Sequence, residues 1–301
     1  MFEHIEILNL RASFISKEDG RLPPYLGSTI RGVLGHCIRD FACRAPEKKC
    51  YLCEFAKECL YAECFCSPGN VAGAVNPFVV NVFVRNKTEW QAGDRCIFEL
   101  VLFGRITQKA GLFLDALQAM GRRGWGASRL AFELEYIVNP INNTMIYQNG
   151  RTWLRNLQPV PIPNRERLSN EVLLRFDTPL RILESRVLCE KLPFVTLVRA
   201  MLRRLALISQ AYTGKMIEYE NNILIEKANE IKTVDEKWER IVFKRYSINR
   251  EDKLVLDAVE GWALYAGDLT PFTPLIDACE FLHIGKNATI GFGHYNAYYD
   301  R

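Results

Sequence analysis

Histidine is scarce in this chain: there are four in 301 residues, at positions 4, 36, 283 and 294. Any reaction that needs an imidazole near neutral pH therefore has few candidates. Long apolar runs are missing as well, and no stretch approaches the roughly 20 residues of a membrane helix. The opening residues, MFEHIEILNL, carry acids where a secretory signal carries lysines. The expected location is cytoplasmic, with no membrane partner. A strong net charge is also absent. The balance is +4, with a pI near 8.5, which permits a nucleic-acid partner without requiring one. The length predicts two domains.

Nucleotide-binding signatures are lacking even where glycine is concentrated. In HIGKNATIGFGHY, His283 to Tyr295, Lys286 is followed by Asn287 and not by Ser or Thr. What comes next alternates apolar with small or polar residues, so from Ala288 the pattern predicts a strand and not a helix. That order excludes a P-loop and a dinucleotide fingerprint. Two readings remain: an anion-binding nest using Lys286, Gly291 and Gly293, or a plain helix-to-strand turn.

What is present is a pattern that occurs twice. EHIEILNLRASF reads as a strand, Leu26 to Ala42 as a helix, and PFVVNVFVR and CIFELVLFG as strands. QKAGLFLDALQAM is a helix, GRRGWG a glycine-rich turn and LAFELEYIV a strand. The order βαββαβ is that of a ferredoxin-like, RRM-like unit. After an Asn- and Pro-rich stretch it restarts at EVLLRFDTPLRI and ends at the second glycine loop. The expectation is an α+β protein of two tandem ferredoxin-like domains, 1–140 and 171–301, with 141–170 as linker or insertion.

Cysteine is abundant, and six of the ten crowd residues 43–66, inserted after the first helix. In a reducing compartment such crowding points to metal more than to disulfides. Cys43, Cys50, Cys53 and Cys59 give C-x6-C-x2-C-x5-C, a set suited to structural zinc with no open catalytic position. An iron–sulfur cluster would use the same ligands. Cys64 and Cys66 are left over.

His36 sits in STIRGVLGHCIRD, where helical spacing places Gly32 and Arg39 on its face. Gly32 and Gly35 each cost a helix roughly 0.8–1 kcal/mol relative to Ala, which a close approach by RNA or by another backbone would explain. His4 reads as a surface residue, His283 as a helix C-cap, and His294 as part of the last strand. Candidate phosphate contacts are Arg122, Arg123 and Arg129 at the first glycine turn, Arg199 and Arg203 on the long second-half helix, and Lys244, Arg245 and Arg250 in FKRYSINR. Trp125 and Tyr246 suit either base stacking or core packing.

Across nearly its whole length the chain resembles the CRISPR-associated endoribonucleases of the RAMP superfamily that process precursor guide RNA. The resemblance rests on LPPYLGSTIRGVLGHCIR, the cysteine pattern, LVLFG, MGRRGWGASR, DTPLRI, KRYSINR and HIGKNATIGFGHY. It implies cleavage of CRISPR repeat RNA by the RNA's own 2′-hydroxyl, without a catalytic metal, giving a 2′,3′-cyclic phosphate and a retained product. It also implies a general acid/base histidine on or near the first helix, which selects His36, with Tyr25 as a partner. Many relatives carry a lysine on this helix. Here there is none, so Arg31 or Arg39 is expected to supply the charge. The competing expectation is a non-catalytic guide-RNA-binding subunit, joined to other CRISPR effector subunits, with no need of His36. A redox or metal-dependent enzyme built on the cysteine segment would lack accompanying acid/base residues.

Overall fold

The computed structural model describes residues 2–66, 75–217, 222–247 and 252–300. Contacts divide the chain into two units. The first comprises Glu6–Val160 with Ala211–Thr213, and the second Met1–Ile5, Pro161–Gln210 and Gly214–Arg301.

In the first unit the order is β1 (Glu6–Ser16), α1 (Gly27–Ala42), α2 (Leu60–Phe65), β2 (Phe78–Val82), β3 (Arg95–Phe103), α3 (Ala110–Arg123), β4 (Phe132–Asn139), β5 (Thr144–Gln148) and β6 (Arg151–Thr152). The sheet order is β2-β3-β1-β4-β5-β6. Strand β3 lies between β1 and β2, which flank α1 in the chain, so the unit is a split βαβ of the ferredoxin-like kind. Leu8, Leu10, Ala12 and Phe14 alternate along β1 into one core with Ile30, Leu34 and Ile38 of α1 and with Phe113, Leu117 and Met120 of α3. Burying each large apolar side chain contributes roughly 1.5–3 kcal/mol. That shared core lays α1 beside α3.

The stretch 141–170, expected as linker or insertion, is partly sheet. Asn149 and Gly150, both at positive φ (48° and 80°), form the two-residue turn between β5 and β6, where Gln148 pairs with Arg151. An Asn-Gly pair is the preferred chemistry for such a hairpin. Residues 141–160 accordingly group with the first unit.

The second unit repeats the order with β7 (Glu171–Leu180), α4 (Phe194–Thr213), α5 (Asn222–Glu230), β8 (Lys232–Ser247), β9 (Asp252–Ala266), α6 (Thr273–Leu282) and β10 (Tyr295–Tyr299). Its sheet order, β8-β9-β7-β10, matches the first four strands of the other unit. The last strand begins at Tyr295. The alternation read from Ala288 onward is instead a looped turn, because Asn287, Gly291 and Gly293 adopt positive φ (68°, 98° and 74°). No helix among the described residues is long and apolar enough to cross a membrane.

Candidate active site and nucleic-acid interface

His36 stands exposed in the third turn of α1. Gly32 and Asp40, four residues either side, lie about 40° from it around the helix. A β-carbon at Gly32 would meet nothing within 4 Å, so the space beside the imidazole is open. Across from this face is the last turn of α3. There the Arg123 guanidinium donates to the Asp40 carboxylate. Partial burial lowers the His36 pKa below its ordinary value and the Arg123 charge lowers it further; Asp40 opposes this, and Arg39 adds a smaller downward push. The lowered pKa favours the neutral imidazole, the form able to take a proton. Burial pushes the neighbouring Cys37 thiol up to about 11, against the lowering pull of Arg123 and, more weakly, Arg122. Asp40 was not among the residues singled out from sequence, although its i+4 spacing from His36 was legible there.

The other expected members of the site face elsewhere. Arg31, about 140° around the helix from His36, lies over the Phe65 ring at 5.1 Å. Arg39 donates from Nη2 to the Pro46 carbonyl at 2.9 Å and lies over the Tyr61 ring at 5.7 Å. A hydrogen bond to Cys43 holds its guanidinium pKa up. Gly35 is explained by the same side of the helix, since a β-carbon there would come within 2.9 Å of the Phe65 ring. Tyr25 precedes α1, in a loop where the Asn86 amide donates to Pro24. From the start of α1 to His36 is about 14 Å of helix rise, so Tyr25 reaches His36 only if this loop folds back along the helix.

The cysteine segment packs onto α1 through Phe65, Tyr61 and the two arginines. Among the described residues, no three His, Cys, Asp or Glu side chains converge closely enough to hold a metal ion. The thiols associate differently from the expected set: Cys66 hydrogen-bonds to Cys50 with Cys59 nearby, its pKa raised to about 12 chiefly by burial. Cys43 is engaged by Arg39. Four thiolates around one ion would need these side chains to draw closer together.

The first glycine turn anchors the end of α3. Gly124 ends the helix at φ 79°, and a β-carbon there would collide with the Arg129 carbonyl. Trp125 and Leu130 exchange backbone hydrogen bonds of 2.8 and 2.9 Å. Trp125 is fully buried, stacked on Phe132 with ring centroids 4.1 Å apart. It is therefore a core residue and not a platform for bases. Arg122, Arg123 and Arg129 project outward from this anchored turn.

In the second unit the glycine loop is threaded against backbone. The Gly293 amide donates to Pro179 at 2.9 Å, and a β-carbon on it would strike the Ile284 carbonyl. Gly291 is buried, whereas Lys286 is exposed with its amide tied to the Arg181 carbonyl at 2.8 Å. Phe243 of β8 meets Phe292 of the loop edge-on at 5.2 Å, which brings the FKRY segment alongside. The Lys244, Arg245 and Tyr246 side chains, and all of Arg250, lie outside the described residues. Arg199 and Arg203 are exposed on α4, while the adjoining Arg204 is buried and donates to the Leu282 carbonyl at 3.1 Å.

The remaining histidines hold structure. His283 is buried, with Nδ1 3.1 Å from the Phe292 carbonyl, and its ring lies 5.2 Å from that of His294. Burial first, then the neighbouring His294, set its pKa well below the ordinary value. His4 is half-buried, with Nε2 2.7 Å from Ser209 Oγ.

Two split-βαβ sheets, the first carrying an exposed histidine among arginines, define a tandem ferredoxin-like protein of the α+β class. Residues 5–160 match the family model of the AF_1859_N N-terminal domain. Residues 174–295 match the model of the CRISPR-associated endoribonuclease Cas6. The chain belongs to the AF_1859_N family by its N-terminal half, and its C-terminal half is similar to Cas6. An uncharacterized protein of Archaeoglobus fulgidus is 24% identical over 226 residues, covering 73% of this chain and 72% of its own. Among solved structures, a Cas6 product complex aligns over 97% of this chain and 100% of that one, at 13% identity and a TM-score of 0.57. A partial Cas6-RT-Cas1–Cas2 complex aligns over 98% of this chain at 12% identity and a TM-score of 0.62. There the chain spans 46%, about half, of the other's length.

Proposed function

We propose that this protein cleaves CRISPR repeat RNA by attack of the RNA's own 2′-hydroxyl on the adjacent phosphate, and that His36 moves the proton. The observation that carries this reading is an exposed imidazole beside open space, with the Arg123 guanidinium close by on the facing helix. A neutral imidazole can accept the 2′-hydroxyl proton. The imidazolium so formed can return it to the leaving 5′-oxygen, leaving a 2′,3′-cyclic phosphate and a 5′-hydroxyl. Because the substrate supplies its own nucleophile, the reaction requires no metal-bound water. A guanidinium on this side of α1 would bind the phosphate, and the basic residues of the second unit would track the RNA and keep the product. A structural zinc on Cys43, Cys50, Cys53 and Cys59 would serve only to hold the inserted segment.

Labelled repeat RNA incubated with the protein in EDTA tests the proposal. Cleavage giving the cyclic phosphate is expected, and a 2′-deoxy substitution at the cut site should leave the RNA bound and whole. His36→Ala should slow cleavage by roughly 10²-fold or more at nearly unchanged affinity. A protein that binds the RNA and never cuts it would instead be a guide-RNA-binding subunit. Cleavage at the wild-type rate by His36→Ala would sink the assignment of His36.

A further inference from the structure

The expected cations of the site, Arg31 and Arg39, are committed to the cysteine segment. Arg31 lies over Phe65, and Arg39 is held by Pro46, Tyr61 and Cys43. The cation on the His36 side comes from another helix. We infer that Arg123 is the group that binds the scissile phosphate and stabilises its developing charge, and that Asp40 is a positioning residue that holds the Arg123 guanidinium beside His36. This inference rests on the proposed RNA cleavage.

Three observations carry it. First, Arg123 reaches from the last turn of α3 across to Asp40, one helical turn beyond His36 on α1. A basic residue in the last turn of a helix is favoured by the helix dipole alone, but the dipole does not require that reach. Secondly, the arginine's backbone is fixed. Immediately after it, Gly124 turns the chain in a conformation that only glycine fits, and the Trp125 indole N–H donates to the Met120 carbonyl at 3.2 Å within the core. The first glycine turn thus has a function its buried Trp125 does not reveal: it sets Arg122 and Arg123 against α1. Thirdly, the partnership is exchangeable. The side chains of Arg123 and Asp40 are 40% and 55% exposed, and such surface pairs contribute little to stability. A phosphate, which takes two parallel N–H donors from a guanidinium, competes well for that fork. The charged groups around His36 are then Asp40 from its own helix and Arg123 from α3, with Arg122 beside Cys37 and Arg39 acting from farther away on the cysteine segment.

The experiment is single-turnover cleavage of labelled repeat RNA by the full chain, wild type against Arg123→Ala, Arg123→Lys, Asp40→Asn and His36→Ala, with affinity measured in parallel. Arg123→Ala should slow cleavage by about 10²-fold while weakening binding only a few-fold, and Arg123→Lys should recover part of the rate. Asp40→Asn should slow cleavage less. It should also move the acid limb of the pH–rate profile to lower pH, because the carboxylate that raises the His36 pKa is gone; Arg123→Ala should move that limb to higher pH. A merely structural role for either residue would leave the limb in place. If Arg123→Ala cuts within a few-fold of wild type while His36→Ala is inactive, the inference falls and the cleavage reading stands. The same holds if saturating RNA restores the Arg123→Ala rate. If His36→Ala cuts like wild type, the reading itself falls. Should Arg123→Ala fail to fold, an unmoved acid limb in Asp40→Asn overturns the inference.

Discussion

The two glycine-rich turns occupy equivalent places in two units of the same topology, each between the second helix and the last strand, yet they deliver different things. In the first, glycine ends α3 abruptly, so that Arg122 and Arg123 close the helix and face α1. In the second, α6 has no basic residue in its last turn and ends in the buried His283, and the only lysine of the loop stands out in solvent. Both need glycine for one physical reason, a left-handed backbone pressed against a carbonyl. The shared sequence feature therefore reports shared packing. The chemistry lies in the residues that the packing aims.

Breaking the packing gives the largest expected effect. Gly124→Val and Gly293→Val each force a β-branched side chain into positive φ and into a backbone carbonyl. A destabilisation on the order of 3 kcal/mol is expected from the combined strain and overlap. Hydrogen exchange resolved by segment should place the loss in the first unit for Gly124 and in the second for Gly293. Of the two, Gly124→Val should slow cleavage beyond its loss of RNA affinity, because Arg123 moves with the helix end. Equal loss of exchange protection in both units from either variant would show that the turns are not local anchors.

A second contrast is between the histidines. His283 is buried and stays neutral, whereas His36 is exposed with a smaller perturbation. The folded pKa of His283 lies well below its unfolded value near 6.5, so below that pH the unfolded chain holds a proton that the folded chain does not. Stability from this group is complete above about pH 6.5 and is lost as pH falls toward the depressed folded pKa. The slope is about 1.4 kcal/mol per pH unit for one proton. Denaturant unfolding at pH 7.5 and at pH 5.5 should show the loss, concentrated in the second unit. His283→Gln should flatten this pH dependence even if it is less stable throughout. An unchanged slope would mean that another group sets the acid limit.

Much of this arrangement was legible along the chain. Apolar periodicity gave both βαββαβ orders, because each element buries one face on its own sheet. The helix α1 followed from the same rule. The hairpin at Asn149–Gly150 carried a readable signal that the polar composition around it obscured. Helical spacing already set Arg31 away from His36, but what the arginines of α1 contact was not legible. Arg31, Gly35 and Arg39 are drawn to the aromatic rings of an inserted segment whose position is set by tertiary contact. Arg123 meets Asp40 across 83 residues of sequence, a distance over which spacing rules say nothing. The strand predicted from Ala288 failed for a local reason: Asn287 and the glycines take left-handed conformations that no ladder accommodates.

The smallest expected effect tests whether the second loop aims anything at RNA. Lys286 is exposed, and its backbone is held by Arg181 and not by its side chain. Removing the ammonium should therefore leave the fold alone. If the ammonium neutralises one phosphate, Lys286→Ala should weaken RNA binding a few-fold at moderate salt. It should also reduce the slope of log affinity against log salt by roughly 0.7–0.9, one counterion. The cleavage rate at saturating RNA should stay near that of wild type, in contrast to Arg123→Ala, which should keep most of its affinity and lose rate. The two variants thus separate a residue that holds RNA from one that acts on the phosphate. A slope unchanged within error would reduce the second glycine loop to a turn that locks β7 against the final strand, and would leave the RNA contacts of this unit to α4 and the β8–β9 hairpin.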